Sequence, residues 1–304
     1  MKNKIANLIY AIALLGLASN AKASLSLYVT NNNSHEISEI TSGGIVSTFA
    51  TLDSNGNGLA FDSFGNLFVS LQSGNIDKIT PGGTVSVFAS GFYAPAGLAF
   101  DASGNLFVAD NSTGKISEIT PGGTVSTFVA SGVGDPFGLA FDASGNLFST
   151  TFSESSVVKI TPGGTVSTFA TGIDYSYGLA FDASGNLFAS SYIIGDKVCK
   201  ITPGGTVSTY ASGLTDPGGM AFDSSGNLFV GNAYDGDTIL KISSAGTFST
   251  FVTSASLDGL SGLAFGPASG GGDVSAVPEV TSSFTLLGLI TGGLMMRRRT
   301  KALR

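Results

Sequence analysis

The stretch GLAFDASGNLF occurs three times letter for letter, at Gly97 to Phe107, Gly138 to Phe148 and Gly178 to Phe188. Its opening phrase, Gly-Leu/Met-Ala-Phe, recurs at intervals of 39 to 43 residues, beginning at Gly58, Gly97, Gly138, Gly178, Gly219 and Gly262. A fixed period of about 40 residues is typical of repeat proteins, in which each unit buries its faces against its neighbours. The repeats therefore predict the fold, and the differences between them are where an asymmetric site must be sought.

Each period contains four short apolar runs. In the second period these runs are Gly97 to Phe100, Leu106 to Val108, Ile116 to Ile119 and Thr124 to Phe128. They are rich in Val, Ile, Phe and Thr and too short for helices, which predicts four β-strands for each repeat.

The links between these runs have the composition of tight turns. Asp101 to Asn105 joins the first two strands through a glycine that accepts positive φ, and Pro121 to Gly123 joins the last two. Four-stranded units repeated every 40 residues or so predict an all-β fold, a six-bladed β-propeller.

The two ends of the repeat region are complementary. Residues 25–30, 36–40 and 45–49 supply a second, third and fourth strand with no Gly-Leu-Ala-Phe before them, while Gly262 to Phe265 is a first strand with nothing after it. We predict that these segments share one blade and close the ring, so that residues 24–266 form one propeller. An open solenoid is the alternative, but it has no need of a complementary leftover strand.

The N-terminus has the pattern of a secretory signal peptide. Lys2 and Lys4 precede an apolar run from Ile5 to Leu17, and Ala21-Lys22-Ala23 is a small-x-small cleavage site. The run is shorter than the ~20 residues needed to span a bilayer, which disfavours a permanent anchor. We predict a signal peptide over residues 1–23 and a mature chain that begins at Ser24.

The C-terminus resembles the PEP-CTERM sorting signal of exported bacterial proteins. Val277-Pro278-Glu279 precedes the apolar stretch Phe284 to Met296 and three arginines, although Val280 stands where that signal usually has its second proline. The resemblance implies that residues 277–304, which follow a Gly/Ser-rich linker at 267–276, anchor the chain transiently at the inner membrane for processing. The expected destination is the cell surface or the extracellular matrix.

The mature region is strongly acidic, with six basic residues against 20 acidic residues and a net charge of about −14. Such a charge disfavours nucleic acid or an anionic membrane as a partner. Cys199 is the only cysteine, and its place in a strand-like run favours a packing role over a catalytic one.

The repeat Gly-Leu-Ala-Phe-Asp-x-x-Gly-Asn-Leu-Phe-Val, followed by Lys-Ile-x-x-Ile-Thr-x-x-Gly, resembles NHL-type, virginiamycin B lyase-like and gluconolactonase-like six-bladed propellers. The resemblance spans nearly all of Leu25 to Phe265. It implies a fold, and it leaves open whether the chain is an enzyme, a ligand binder or a protein-interaction scaffold.

The enzymatic alternative is a metal-dependent hydrolase or lyase. Gluconolactonase-like propellers place metal ligands just before the glycines of inner strands, and here those positions hold Asn57, Ala96, Phe137, Tyr177, Gly218 and Ser261. Of these only Asn57 matches a ligand, and one neutral oxygen does not make a divalent site. Virginiamycin B lyase-like enzymes use a histidine base, but the only histidine is His35, in a loop. The residues favour a non-enzymatic protein.

The loops divide into two sets that lie on opposite faces of a propeller. Those joining the first strand to the second, and the third to the fourth, are nearly uniform, whereas the others vary from blade to blade; we name the two faces the uniform face and the variable face. Loops free of repeat constraints on a rigid frame favour a binding site. The residues that we predict to bind a ligand are Tyr93, Asp135, Phe137, Asp174, Tyr175, Tyr177, Asp216, Tyr234 and Asp258.

Tyr and Phe rings stack on sugars or apolar groups, and Asp side chains accept hydrogen bonds from hydroxyls. The expected partner is an extracellular polysaccharide or a surface protein, bound by a monomeric propeller. An equally weighted interpretation is that the Asp residues only shape turns and the aromatic rings cover blade ends. We predict no cofactor; Asn57, Asp235 and Asp237 are candidates for loose Ca²⁺ binding, although two carboxylates fall short of the six to eight oxygens this ion takes.

Overall fold

The computed structural model describes residues 25–192, 196–232 and 237–269, and in these ranges the chain forms 24 β-strands in six antiparallel sheets. The signal sequence at 1–23, the tail at 277–304, and the residues Tyr234 and Asp235 lie outside the described residues. The described part contains no helix of the length and apolarity that a membrane span requires.

The sheets form the blades of a propeller, numbered here from the N-terminus. The strands are β1 (Leu25–Asn31), β2 (Glu36–Ile40) and β3 (Val46–Thr51) in blade 1; β4 (Gly56–Phe61), β5 (Leu67–Leu71), β6 (Asn75–Ile79) and β7 (Val85–Ser90) in blade 2; β8 (Pro95–Phe100), β9 (Leu106–Asp110), β10 (Lys115–Ile119) and β11 (Val125–Val129) in blade 3; β12 (Pro136–Phe141), β13 (Leu147–Thr151), β14 (Ser156–Ile160) and β15 (Val166–Thr171) in blade 4; β16 (Ser176–Phe181), β17 (Leu187–Ser191), β18 (Lys197–Ile201) and β19 (Val207–Ser212) in blade 5; β20 (Pro217–Phe222), β21 (Leu228–Asn232), β22 (Thr238–Ile242) and β23 (Phe248–Thr253) in blade 6; and β24 (Leu260–Pro267), which returns to blade 1 as its innermost strand.

The predicted closure of the ring is confirmed. Strand β24 pairs antiparallel with β1, with Leu27 opposite Phe265 and Leu25 opposite Pro267. The strand thus extends one residue beyond Gly266, and it also contacts the inner strands of blades 2 and 6. Both the start of β1 and the end of β24 lie on the uniform face.

The uniform face repeats one hydrogen-bonded hairpin in blades 2 to 6. In the hairpin that follows β8, one Asp101 carboxylate oxygen accepts hydrogen bonds from the N–H groups of Ser103 and Asn105, and the other accepts from the Asn105 side chain at 2.9 Å. Gly104 has a φ of 81°, which explains why glycine recurs at this position. The equivalent hairpins make the same bonds from Asp62, Asp142, Asp182 and Asp223.

Neighbouring blades are joined by aromatic triads. In each second strand an aromatic ring packs edge-on against a ring of its own fourth strand and a ring of the next blade's inner strand. Phe68, for example, contacts Phe88 and Phe100 with ring centroids 4.9 and 5.1 Å apart. In four blades a lysine covers the central ring at 5.4 to 5.6 Å, as Lys78 covers Phe68. Edge-on pairs of this kind add about 0.5–1.5 kcal/mol each to the burial of their area.

The six repeat glycines form a ring where adjacent inner strands touch backbone to backbone. A Cβ atom on Gly97 would lie 2.1 Å from the carbonyl oxygen of Phe137, and one on Gly262 would lie 2.3 Å from that of Asn57. At all six positions a Cβ atom would approach a backbone oxygen to between 2.1 and 2.8 Å, although none of these glycines has a positive φ. Glycine is therefore required because the neighbouring backbone leaves no room for a Cβ atom. The close approach of the inner strands at this ring sets the diameter of the propeller.

Hydroxyl groups of the second strands accept hydrogen bonds from this ring in four blades, and in three of them they also donate to the next blade. Ser190 Oγ accepts a hydrogen bond from the Gly178 N–H at 2.8 Å and donates one to the Gly218 carbonyl of the next blade, also at 2.8 Å. The corresponding hydroxyls are Ser70, Thr150 and Thr30, each of which accepts a hydrogen bond from the ring glycine of its own blade. Blades 3 and 6 have Ala109 and Gly231 at this position and lack the hydroxyl.

Blade 1, which β24 completes, departs from the repeat near the C-terminal end of β24. Tyr28 replaces the phenylalanine of the other triads, and its hydroxyl donates a hydrogen bond to the Pro267 carbonyl at 2.6 Å. Glu39 takes the position of the covering lysine, is buried, and accepts hydrogen bonds from the N–H and hydroxyl of Ser269. Burial, together with the Glu39 carboxylate, raises the pKa of Tyr28. These contacts fasten the end of β24 to blade 1.

Candidate functional site

The inner strands enclose a central channel of about 250 Å³. Its wall consists mainly of the Leu or Met, Ala and Phe side chains that follow each ring glycine, with Asp223 and Ser224 at the uniform face. The Asp223 carboxylate accepts hydrogen bonds from its own hairpin, and the rest of the described wall is mainly apolar, so the channel body offers few groups for chemistry or recognition.

The channel narrows at the variable face to a neck of about 70 Å³. The residues just before the ring glycines line this neck, among them Asn57, Phe137, Tyr177 and Ser261. Asn57 Nδ2 donates a hydrogen bond to the Pro95 carbonyl at 2.9 Å, which fixes the orientation of its side chain. The positions expected to distinguish an enzyme from a binder thus do meet at one place, and they hold two aromatic rings, an amide and a hydroxyl.

Five half-buried aromatic rings from blades 4 and 5 lie side by side next to the neck, and we name them the aromatic shelf: Tyr175, Phe152, Phe137, Tyr177 and Tyr192. Their ring centroids follow one another at 5.4, 5.9, 4.0 and 5.6 Å. The Phe137 and Tyr177 planes are tilted by 42°, unlike the edge-on pairs of the triads, and both residues line the depression described below. The structure therefore brings three predicted residues, Phe137, Tyr175 and Tyr177, into one cluster.

Amide side chains from blades 1 to 3 lie on the other side of the mouth, and we name them the amide arc: Asn32, Asn57, Gln72 and Asn111. All four line a depression of about 460 Å³ that also includes Tyr93, Phe137 and Tyr177. A second depression, of about 390 Å³, is lined by Asn32, Tyr177, Tyr192 and Asp237 together with other loop residues. Both volumes lie within the range of small-ligand sites, ~300–1,000 Å³.

Tyr177 holds the centre of this surface. Its hydroxyl forms a 2.5 Å hydrogen bond with Ser261 Oγ in β24. This bond joins blade 5 to the closing strand across blade 6. Burial raises the pKa of Tyr177 to about 12, against the lowering effect of the Ser261 hydrogen bond, and Tyr192 adds to the rise. The phenol is therefore neutral at physiological pH and its ring is held in place before any ligand arrives.

Tyr175 adopts a φ of 47°, in the left-handed region that L side chains avoid. The closing blade has Gly259, at φ 63°, three residues before its own ring glycine, which is the position that Tyr175 occupies in blade 5. Blade 6 has Asp216 at this position, also at positive φ, and in blade 5 the Tyr175 ring packs against Phe152 of the aromatic shelf.

The predicted carboxylates mainly join neighbouring loops of the variable face. Asp258 Oδ1 accepts hydrogen bonds from the Ser34 N–H and hydroxyl, Asp135 accepts one from Ser153, and Asp237 Oδ1 accepts one from the Gly259 N–H at 2.8 Å. These bonds order the variable loops.

The remaining predicted residues are more scattered. Asp174 takes part through its carbonyl, which accepts a hydrogen bond from Ser191, and Asp216 has a φ of 45° with its N–H directed at the Asp196 carboxylate. Tyr93 is 79% exposed, and Asp110 fixes its backbone by accepting a hydrogen bond from its N–H at 3.0 Å. Tyr93 lies at the rim of the larger depression rather than in the aromatic shelf.

The residues available for catalysis are few in the described part of the chain. Within residues 25–192, 196–232 and 237–269, no three His, Cys, Asp or Glu side chains are grouped as metal ligands. His35 is exposed and in a left-handed turn, where its carbonyl accepts a hydrogen bond from the Leu52 N–H. Cys199 is buried in β18, and burial raises the pKa of its thiol.

Sequence reasoning missed most of the amide arc. Asn32, Gln72 and Asn111 each follow directly after a second strand, the same position that holds Phe152 and Tyr192 in blades 4 and 5. An alignment of the repeats on their second strands, rather than on the ring glycines alone, would have shown these five residues as an outer ring around the neck.

No protein-family model and no curated protein sequence matches the chain. Among solved structures, it is similar to a chain in a crystal structure of a nidogen/laminin complex, with 19% identity, a TM-score of 0.72, and coverage of 80% of this chain and 98% of that one. The class defined by the architecture is that of six-bladed β-propellers.

Two further solved structures correspond to the resemblance seen in the sequence. Virginiamycin B lyase from Staphylococcus aureus shares 15% identity with a TM-score of 0.56, over 75% of this chain and 74% of the lyase. A putative gluconolactonase shares 19% identity with a TM-score of 0.56, over 68% and 85% of the two chains. These similarities confirm the fold, and at such identities they concern the fold alone.

Proposed function

We propose that the chain is an exported, non-enzymatic binding module that holds a glycan or protein ligand on its variable face, at the cell surface or in the extracellular matrix. The observation that carries this proposal is the junction of the aromatic shelf with the amide arc around the channel mouth. Aromatic faces and fixed amides on a rigid scaffold suit recognition, because they supply stacking and hydrogen bonds without a nucleophile or base.

The direction in which the chain leaves the propeller supports the proposed location. Strand β24 runs from the variable face to the uniform face, and Ser269 is fastened there by Glu39. A tail that begins on the uniform face and is held transiently at the inner membrane directs the variable face away from that membrane. The binding surface is then presented to the exterior.

The proposal is tested by retention of the full chain on the producing organism's own exopolysaccharide and on its surface-protein fraction. Replacing Tyr175 and Tyr177 together by Ala removes two rings of the aromatic shelf and should weaken retention about tenfold, since each ring contact contributes about 0.5–1.5 kcal/mol. Phe64→Ala is the control, because Phe64 is 73% exposed on the uniform face.

Equal retention of the double variant and the control would contradict the proposal. A stoichiometric divalent ion in the purified protein, together with lactone hydrolysis or streptogramin cleavage, would instead favour a metal-dependent hydrolase or lyase.

A further inference from the structure

The two depressions on the variable face share walls. Asn32 and Tyr177 line both, so the larger depression over blades 1 to 3 and the smaller one beside blades 5 and 6 meet at these two side chains. Together they form a trough that crosses the channel mouth, and two connected depressions suit a ligand of more than one unit.

Among the described residues, the wall of the trough is nearly without charge, although the protein is strongly acidic. The larger depression has no Lys, Arg, Asp or Glu in its wall, and the smaller has Asp237, whose Oδ1 is hydrogen-bonded to Gly259. Four of the six basic residues of the mature region lie over phenylalanine rings of the triads. An anionic ligand would lose its hydration here without meeting a cation, and the net charge of about −14 would repel it.

The polar groups of the trough are instead those that fit hydroxyl and acetamido groups. Side-chain amides donate and accept hydrogen bonds at once, as sugar hydroxyls do. The Asn32 Oδ1 atom, at the shared wall, is buried and has no hydrogen-bond partner among the described residues. A buried acceptor without a partner is costly, so turning the Asn32 amide to meet a ligand donor in the trough would be favoured.

We propose that the ligand is an uncharged polysaccharide, with sugar rings stacked on the aromatic shelf and hydroxyl or acetamido groups bonded to the amide arc. This inference rests on the proposed function and specifies its ligand class. A protein partner would favour an apolar, desolvated centre, whereas the centre of this trough contains the amides of Asn32 and Asn57.

The inference is tested by titrating the full chain with three soluble polymers under the same buffer conditions: a neutral β-glucan, a chito-oligosaccharide and a polyuronate. We expect at least one neutral polymer to bind at least tenfold more tightly than the polyuronate. Tyr93→Ala should weaken the neutral binding several-fold without changing the melting temperature, since the ring is exposed, while Phe64→Ala should change neither.

A single added charge provides a gain-of-function test. Gln72 is exposed in the wall of the larger depression, so Gln72→Lys supplies the cation that the trough lacks. We expect the affinity for polyuronate to rise several-fold and to fall again with added salt. Phe64→Lys is the matched control, because it adds the same charge on the opposite face.

The outcomes separate this inference from the proposed function. Preferential binding of polyuronate by the unaltered chain, or retention only on surface protein in a manner that depends on Tyr177, overturns the neutral-polysaccharide ligand and keeps the binding module. Binding to none of the polymers and to no surface protein overturns both.

Discussion

Tyr175 shows how much a single residue can reveal about the variable face. Its backbone occupies the left-handed region at φ 47°, a conformation that costs a non-glycine residue about 1–2 kcal/mol. At the same position the closing blade has Gly259 and blade 6 has Asp216, both also at positive φ. The Tyr175 ring is half-buried and packs edge-on against Phe152.

This strain predicts an unusual order of stability for two variants at position 175. The free energy of unfolding of Tyr175→Gly should be about 1 kcal/mol higher than that of Tyr175→Ala, because glycine relieves the left-handed strain that alanine keeps. Urea denaturation of the two variants measures the difference.

The same pair of substitutions at Tyr93, which does not have a positive φ, serves as the control. There the usual order should hold, with Ala at least as stable as Gly. If Ala were also the more stable residue at position 175, the strain argument would be wrong.

The blades are similar in sequence but differ in how their inner strands are joined. Hydroxyls of Ser70, Thr150 and Ser190 connect a ring glycine to the carbonyl of the following blade, whereas blade 3 has Ala109 in that position. The junction that follows blade 3 leads to Phe137, the middle ring of the aromatic shelf. Equivalent junctions between blades thus differ in their hydrogen bonds, and the junction after blade 3, which lacks the bridge, adjoins the aromatic shelf.

Removing one such hydroxyl should lower the free energy of unfolding, and adding one should raise it. Ser190→Ala leaves the Gly178 N–H and the Gly218 carbonyl without their partner, so the free energy of unfolding should fall by about 1–3 kcal/mol. Ala109→Ser supplies the missing bridge and should raise it by about 0.5–1.5 kcal/mol. Chemical denaturation of both variants tests the pair.

Ala189→Ser is the matched control for the added hydroxyl. Ala189 is fully buried in an apolar cluster one residue before Ser190, on the other side of the strand. A hydroxyl there should destabilise the protein. Equal effects at 109 and 189 would contradict the bridging role.

The repeats made the elements predictable, because every strand type has nearly the same turn residues at one of its ends in each period. Gly58 and its equivalents located the inner strands, and the orphan segment at 262–265 located the closure. The residues before these glycines were correctly placed at the channel mouth. Tyr177 could not be assigned its partner, since the hydrogen bond to Ser261 depends on how blades 5, 6 and 1 are arranged in space.

The site was less predictable than the fold because loop residues obey no period. The predicted set favoured Asp135 and Asp258 for their chemical type, but their oxygens accept hydrogen bonds from neighbouring loop residues. Gln72 did not stand out, because it lies in a short turn and only the fold brings it into one depression with Asn57 and Asn111. Composition could suggest aromatic and polar contacts but not which groups converge.

At the scale of the whole molecule, one strand completes the ring. Strand β24 is the innermost strand of blade 1 and packs between the inner strands of blades 2 and 6, so its loss opens two inter-blade interfaces as well as one ladder. Deleting residues 262–277 should therefore lower the melting temperature greatly, as a thermal unfolding curve would show.

A chain that ends after Ser269 is the matched comparison, because it keeps β24 and the hydrogen bonds of Tyr28 and Glu39. Its melting temperature should equal that of the full chain. An unchanged curve for the 262–277 deletion would count against closure by β24.

The fastening of β24 by Tyr28 and Glu39 has a mechanical consequence. A ligand held on the variable face and a tail held below the uniform face would pull in opposite directions along the axis of β24. Its ladder with β1 is then loaded in shear, so that the hydrogen bonds resist together instead of opening one after another from a free end. The strand that closes the ring is also the one through which tension from a tethered polymer would enter the protein, and the Pro267 and Ser269 contacts stand at the point where that force is first borne.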